Sequence, residues 1–430
     1  MCSTSHLAST GKSRRSARTS PTWCPASQSS GTCARTDTPR TAREIQRSKI
    51  VSDCVQTRSR GHCDPRFAAI RQAFEENFAH RGEVGASVAI VHRGELVVDL
   101  WGGSRDAAGT LQWDADTLVC VQSVTKEVVA LALHIAADRG LVDLDAPVAR
   151  YWPEYASAGK QDTKVKWLLD HRAGVPVAAD ATPGMAYDWL RMTEALARTQ
   201  PLWEPGTTPC YHSANYGFLV GAVLWRVTGM MPSAFIREHV AGPLGIEFCI
   251  GLRQEEEARV ATFLGASEHV SATWVAAGDD NIFGRSWRIF WPDEDYNSSD
   301  WRHTEIPSVN GHSNARSLAR ICAAMAEGGT LAGVRLLSPA AMTRAAEIQW
   351  TGTDAIGRYL SMSLGFIMTT PSFPTTGPRA IGMSGAGGAT AFGDPDRQLG
   401  FAYTMNSMYP GLERSTRSAA LVEALQSCCV

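Results

Sequence analysis

Three serines in this 430-residue chain stand three residues before a lysine: Ser9 before Lys12, Ser123 before Lys126 and Ser157 before Lys160. On one turn of a helix that spacing points a hydroxyl and an amine the same way. The amine then sits where it can draw off the hydroxyl proton, the minimum arrangement for a covalent serine nucleophile. Spacing alone does not choose among the three, so the choice falls to their surroundings.

Ser9 lies in a Ser/Thr/Arg-rich stretch with no apolar period. Ser157 lies in Tyr155-Ala156-Ser157-Ala158-Gly159-Lys160-Gln161-Asp162, a polar, Gly-containing stretch that reads as a surface turn. Ser123 follows the strand-like run Thr117–Val121 and opens a helix in which Val128, Leu131, Ala132 and Ile135 recur at helical spacing before Gly140. A serine there meets the positive end of the helix dipole, and burial lowers the pKa of its lysine. The bland alternative is an N-capping serine with a solvated lysine.

Acyl transfer also needs a proton shuttle and donors for an oxyanion. Tyr211, in Tyr211-His212-Ser213-Ala214-Asn215 after the turn Trp203-Glu204-Pro205-Gly206, supplies a phenol. Gly382-Met383-Ser384-Gly385-Ala386-Gly387-Gly388 supplies closely approaching backbone at a strand edge. Other motifs are decoys. Gly311-His312-Ser313-Asn314-Ala315 lacks the last glycine and the preceding strand of a nucleophile elbow. His171 reads as a structural histidine at a helix end, and Asp394-Pro395-Asp396 as a hairpin turn.

The elements that must position these residues begin near Asp64. Arg66–His80 reads as an amphipathic helix, Ala86–Val91 and Glu95–Trp101 as a hairpin, and Lys164–Leu169 and Tyr216–Thr228 as helices. Residues 266–307 are aromatic and irregular, a candidate wall for an acyl pocket. Asn310–Gly328 reads as helix, Leu364–Met368, Ala389–Phe392 and Leu399–Tyr403 as strands, and Leu421 belongs to a closing helix. Strands at both ends with helices between predict an α+β domain: one antiparallel sheet built from both chain ends, flanked by helices, with an all-helical insert.

Hydrophobic residues make up 44% and charged residues 20% of the chain, as in ordinary globular proteins. The formal net charge of −2 leaves no nucleic-acid footprint, but residues 1–60 hold eleven Lys/Arg against three Asp/Glu. Residues 1–63 are therefore predicted to be a disordered basic tail, similar in composition to an organelle transit peptide, and residues 64–430 the folded domain. No stretch approaches the ~20 apolar residues of a membrane span. Five of eleven cysteines fall in the tail, and the rest show no metal-binding spacing. A reducing compartment is expected, cytoplasmic or, if the tail is a transit peptide, organellar.

Taken in order, the Ser123, Tyr211 and Gly382 blocks resemble the serine β-lactamase and penicillin-binding protein superfamily. Within it they are most similar to class C-like hydrolases that include family VIII carboxylesterases. Val97-Val98-Asp99-Leu100-Trp101-Gly102-Gly103, Tyr151-Trp152-Pro153, His171-Arg172-Ala173-Gly174, Pro205-Gly206-Thr207, Pro243-Leu244-Gly245 and Ala315-Arg316-Ser317 extend the resemblance over residues 64–425. It implies Ser123 as nucleophile, Lys126 as its partner, Tyr211 as proton shuttle, and the N–H groups of Ser123 and Ala386 as oxyanion hole. Ser213, Met383, Ser384 and Gly385 would support the substrate.

Two positions depart from the family pattern. Ser213 stands where relatives often have asparagine, and Met383 where they often have Lys or His. The missing cation favours neutral esters over β-lactams. The expectation is a cofactor- and metal-independent serine hydrolase acting on small carboxylic esters or amides, with neither nucleic acid nor a membrane span involved. The alternatives are β-lactam or amide hydrolysis, acyl transfer on the same site, or a non-catalytic scaffold of this fold.

Overall fold

The computed structural model describes residues 59–265, 278, 280–409 and 415–428. Nine strands form one antiparallel sheet: β1 (Arg60–Cys63), β2 (Gly85–His92), β3 (Glu95–Gly103), β4 (Trp350–Thr353), β5 (Tyr359–Met362), β6 (Ile367–Met368), β7 (Ile381–Ser384), β8 (Thr390–Asp394) and β9 (Leu399–Met405). Their spatial order is β1-β3-β2-β9-β8-β7-β6-β5-β4. Strands β2 and β3, and each successive pair from β4 to β9, are neighbours in both sequence and sheet, while β1 pairs with β3. The two halves join where β9 lies beside β2, with Ala89 opposite Ala402 and Ile90 opposite Phe401. This is the α+β sheet expected from the sequence.

Every residue of β2 and β9 is buried, so the middle of the sheet is covered on both faces. Such strands read as continuous apolar runs rather than alternating ones. Five helices matter here: α1 (Ala68–His80), α2 (Val124–Asp138), α3 (Tyr216–Thr228), α4 (Ala315–Ala326) and α5 (Thr416–Ser427). Helix α4 packs on β2, β8 and β9. It comes so close that a Cβ on Gly393 or Gly400 would lie 2.3 Å from Cys322 O or 2.2 Å from Ala319 O. The two glycines face each other across β8 and β9, and only backbone fits there. Helices α1 and α5 pack together, with Phe74 and Phe78 of α1 reaching Gly102 of β3.

Helix α2 is buried from Val124 to Ala136, packed between α3 and strand β7. It is enclosed around its whole circumference, mostly by apolar side chains, with Lys126, Glu127 and His134 as buried polar exceptions. A second, three-stranded sheet places Gly311–Ser313 between Val119–Cys120 and Phe248–Ile250.

Two expectations change and a third gains a detail. Ordered structure starts before Asp64: Arg60–Cys63 pairs with Trp101–Val98 of β3, adding an edge strand inside the presumed tail. The region 310–328 is a strand followed by a helix starting at Ala315 with Asn314 as its side-chain cap, not one helix. The Ser157 segment is the surface turn expected, with Ser157, Ala158 and Gly159 exposed, but its lysine turns inward: Lys160 has no exposed surface. Ser9 lies outside the described residues. Among the described residues no single helix is long and apolar enough to cross a membrane.

Candidate active site

The turn before α2 builds the nucleophile. Gln122 adopts φ 49°, a left-handed conformation uncommon for a side-chain-bearing residue. Thr125 Oγ1 donates to Gln122 O (2.6 Å) and accepts from Gly311 N (2.9 Å), tying the turn to the small sheet. Ser123 takes the N-cap position, but its side chain makes no capping bond. The N-cap reading is thereby set aside, and Oγ is left for another partner.

That partner is Lys126. Its Nζ donates to Ser123 Oγ at 3.0 Å and to Ser308 O at 2.8 Å, and it lies 5.1 Å from the ring centroid of Tyr211. Lys126 is wholly buried, and burial pulls its pKa below the ordinary lysine value. Burial pushes the Tyr211 phenol up. The charges of Lys126 and Arg358, with hydrogen bonds from Ser123 and Lys126, outweigh it and hold the phenol below its usual 10. A buried amine and phenol sharing one hydroxyl form a proton-relay set.

Tyr211 is fixed from behind. Its N–H donates to Asp354 Oδ2 (3.0 Å), and its ring packs against the His171 imidazole at 4.7 Å. His171 Nδ1 accepts the N–H of His212 (3.0 Å), while Nε2 has no partner among the described residues. Burial holds His171 well below 6.5, so it is neutral packing behind the tyrosine, only half satisfied.

The Gly382–Gly388 segment closes the other side. Gly385 N donates to Ala389 O (2.8 Å), and a Cβ on Gly385 would lie 2.3 Å from Val121 O. Glycine at this point lets β7 touch the turn that carries Ser123. The N–H groups of Ser123 and Ala386 have no acceptor in the protein among the described residues. Both residues line one cavity of about 390 Å³. Ser123 N–H stands at the head of a 15-residue helix, where the dipole favours negative charge.

Of the substrate-supporting candidates, Ser213, Ser384 and Gly385 line the same cavity. Ser213 Oγ is engaged, accepting from Trp287 Nε1 at 3.1 Å, so it anchors an aromatic wall. Met383 does not reach the cavity: strand alternation turns it into the core with no exposed surface, and its neighbour Ser384 faces the opening. Among the described residues of the aromatic segment, only Phe283 and Trp287 reach the cavity. Phe290, Tyr296 and Trp301 continue the ring contacts into the core. Residues 266–277 and 279 lie outside the described residues.

Sequence reasoning missed Arg358 and Asp354. Arg358 lines the cavity with its guanidinium carbon 4.4 Å from the Tyr211 ring centroid. The absence of a charge at Met383 therefore does not leave the cavity without a cation. Asp354-Ala355-Ile356-Gly357-Arg358 has the Asp and Gly of a turn, the one local signal available. Nothing in it announces contact with a tyrosine some 145 residues earlier. Among the decoys, Ser313 is buried and donates to Glu247 O (2.6 Å), and Asp394 Oδ2 accepts from Thr376 Oγ1 (2.6 Å) and Arg397 (3.1 Å).

Comparison with known proteins agrees with this geometry. The sequence model of the beta-lactamase family matches residues 70–426. Esterase/beta-lactamase LipL of Mycobacterium tuberculosis is 31% identical over 358 residues, 81% of this chain and 83% of that protein. The crystal structure of a family VIII carboxylesterase superposes with TM-score 0.80 at 36% identity, covering 86% of this chain and 99% of that one. A penicillin-binding protein homologue from Caulobacter crescentus gives TM-score 0.79 at 37% identity over the same shares. The chain belongs to the beta-lactamase family and is a serine hydrolase of that fold.

Proposed function

We propose that the protein hydrolyses small carboxylic esters through an acyl-enzyme on Ser123. One observation carries this: Lys126 holds Ser123 Oγ at 3.0 Å beside Tyr211, at the floor of a cavity walled by Phe283, Trp287, Leu360, Ile367 and Phe373. Those walls suit an apolar acyl or alcohol group, and the names of LipL and the family VIII carboxylesterase support an ester.

In this reading the Tyr211–Lys126 pair takes the proton of Ser123 as Oγ bonds to the ester carbonyl carbon. The carbonyl electron pair moves onto oxygen, which receives the N–H groups of Ser123 and Ala386. Collapse breaks the bond to the alcohol, which leaves with the proton returned by Tyr211. Water then repeats the sequence against the acyl-enzyme, releasing acid and free Ser123. The roles of these residues rest on their placement and on the family resemblance.

A second reading, hydrolysis of a carboxylate-bearing β-lactam, draws on the half-exposed Arg358 in the same cavity. A panel of p-nitrophenyl esters, a chromogenic cephalosporin and a D-amino-acid amide separates the two. Turnover of esters with a Ser123 adduct by intact mass supports the first, and turnover of the lactam alone overturns it. For placement in the cell we propose a reducing compartment, supported by six free thiols among the described residues, four of them buried. Fractionation of cells expressing the full chain tests this.

A further inference from the structure

We infer that Arg358 is a positioning residue of this site: stacked on Tyr211, it is the second cation that keeps the phenol oxygen able to take the Ser123 proton. The inference rests on the ester-hydrolase reading above and adds a residue that the sequence motifs do not contain.

The placement of Arg358 is built, not incidental. It ends the turn joining β4 to β5, where Gly357 takes φ 84°. One carboxylate organises that turn and the tyrosine together. Asp354 Oδ1 accepts the N–H groups of Ile356 (3.1 Å) and Arg358 (2.8 Å), while Oδ2 accepts the N–H of Tyr211 (3.0 Å). Ala355 N also donates to Pro209 O (2.9 Å), stitching the turn to the segment that leads into Tyr211. Arg358 and Tyr211 thus share a hub, so the distance between guanidinium and ring is set by backbone hydrogen bonds.

The charge of Arg358 is not spent elsewhere. Its guanidinium makes no ion pair among the described residues, and the one carboxylate in its turn, Asp354, is occupied by three backbone N–H groups. A planar guanidinium over an aromatic face interacts favourably with the neutral ring and more so with a phenolate.

Every other group facing Tyr211 is accounted for. Lys126 comes from α2. His171 and the adjoining His212 are buried imidazoles held neutral, His212 with its pKa drawn down to about 4. The Tyr216 phenol stays protonated through burial. Asp354 reaches only the Tyr211 main chain through its hydrogen bond. Among the described residues, Lys126 and Arg358 are the two positive neighbours. Removing one raises the Tyr211 pKa, so fewer molecules hold the phenolate at neutral pH and activity returns only at higher pH.

The test is the pH profile of kcat/KM on a neutral p-nitrophenyl ester for the parent, Arg358→Met and Arg358→Lys. Arg358→Met should move the acid limb upward by about one unit and lower kcat at pH 7 by about tenfold or more, with KM changing less than about threefold. Arg358→Lys should recover part of the shift, as a point charge without the planar stack. The tyrosinate absorbance of Ser123→Ala, read against Ser123→Ala/Tyr211→Phe, should titrate higher once Arg358→Met is added. Circular dichroism melts confirm that the variants fold. Superimposable pH limbs, or a loss confined to KM, overturn the role of Arg358 alone. A parent with no Ser123 adduct overturns it together with the ester reading.

Discussion

Ser123-Val124-Thr125-Lys126 and Ser157-Ala158-Gly159-Lys160 share a spacing, and each has a lysine without exposed surface. Around Lys160, the backbone leaves helical geometry at Ser157 and Ala158, with Ala158 at φ 56°. Ser157 Oγ donates to Ala197 O (2.6 Å) instead of meeting the amine. Lys160 Nζ donates to three carbonyls: Ser157 O at 2.9 Å, Ala197 O at 2.9 Å and Thr199 O at 2.5 Å. Around Lys126 the helix is regular, one carbonyl is bound, and the remaining contacts are a serine hydroxyl and a phenol facing a cavity. A fully satisfied buried amine is a structural clamp. A buried amine with only one carbonyl and a reactive hydroxyl is chemical equipment.

The sharpest way to break this comparison is to remove the two hydroxyls. Ser123→Ala should lower kcat on an ester by about 10⁴-fold or more and abolish the fluorophosphonate adduct, while Ser157→Ala keeps kcat within about twofold. Equal losses would erase the distinction. Next come the amines. Lys126→Met should lower kcat by about 10²–10⁴-fold with the melting temperature held or raised, since a desolvated amine is replaced by an apolar chain. Lys160→Met should do the reverse, costing about 2 kcal/mol in denaturant unfolding because three carbonyls, two of them buried, lose their donor, with activity per folded molecule retained.

The smallest effect concerns Glu127, beside Lys126 on α2 but supplied with less than either lysine. It is wholly buried, Oε2 has no partner among the described residues, and Oε1 receives only Cys322 Sγ at 4.0 Å. Burial raises its pKa well above 4.5. A carboxyl with a raised folded pKa contributes fully below its unfolded pKa, and that contribution is lost as pH rises toward the folded value. The parent should therefore lose stability as pH rises above about 4.5, and Glu127→Gln should flatten that slope. Identical slopes in urea unfolding would show that Glu127 is satisfied after all.

How far the sequence led follows from which interactions are local. Helix α3 is legible at both ends because Tyr216–Thr228 is periodic and Gly229 stops it at φ 73°. The Arg93-Gly94 hairpin turn is legible for the same reason. Ser123, Lys126 and Tyr211 were legible as motifs, and the fold brings them together at the cavity. Strands β1, β4 and β5 were not legible: β1 and β4 are largely exposed with little apolar signal, β5 is only four residues long, and only pairing across the sheet defines them. The burial of Met383 and Lys160 was also hidden, the first because strand phase is set by register, the second because two of its three carbonyl partners lie about 40 residues away. Arg358 escaped for the most general reason, that turn chemistry is local but what a turn touches is not.

The seam between β2 and β9 has a consequence for how the molecule is made. The hairpin β2–β3 leaves the ribosome some 300 residues before the strand that completes it, and until β9 arrives the inner edge of β2 offers unpaired backbone and mostly apolar side chains. Folding of the sheet is thus a late, long-range closure rather than a progressive growth from the amino terminus, with the slow kinetics that such contacts impose. A chain cut before Leu399 would present that open edge permanently, and the soluble yield of such truncations would collapse abruptly rather than decline with length.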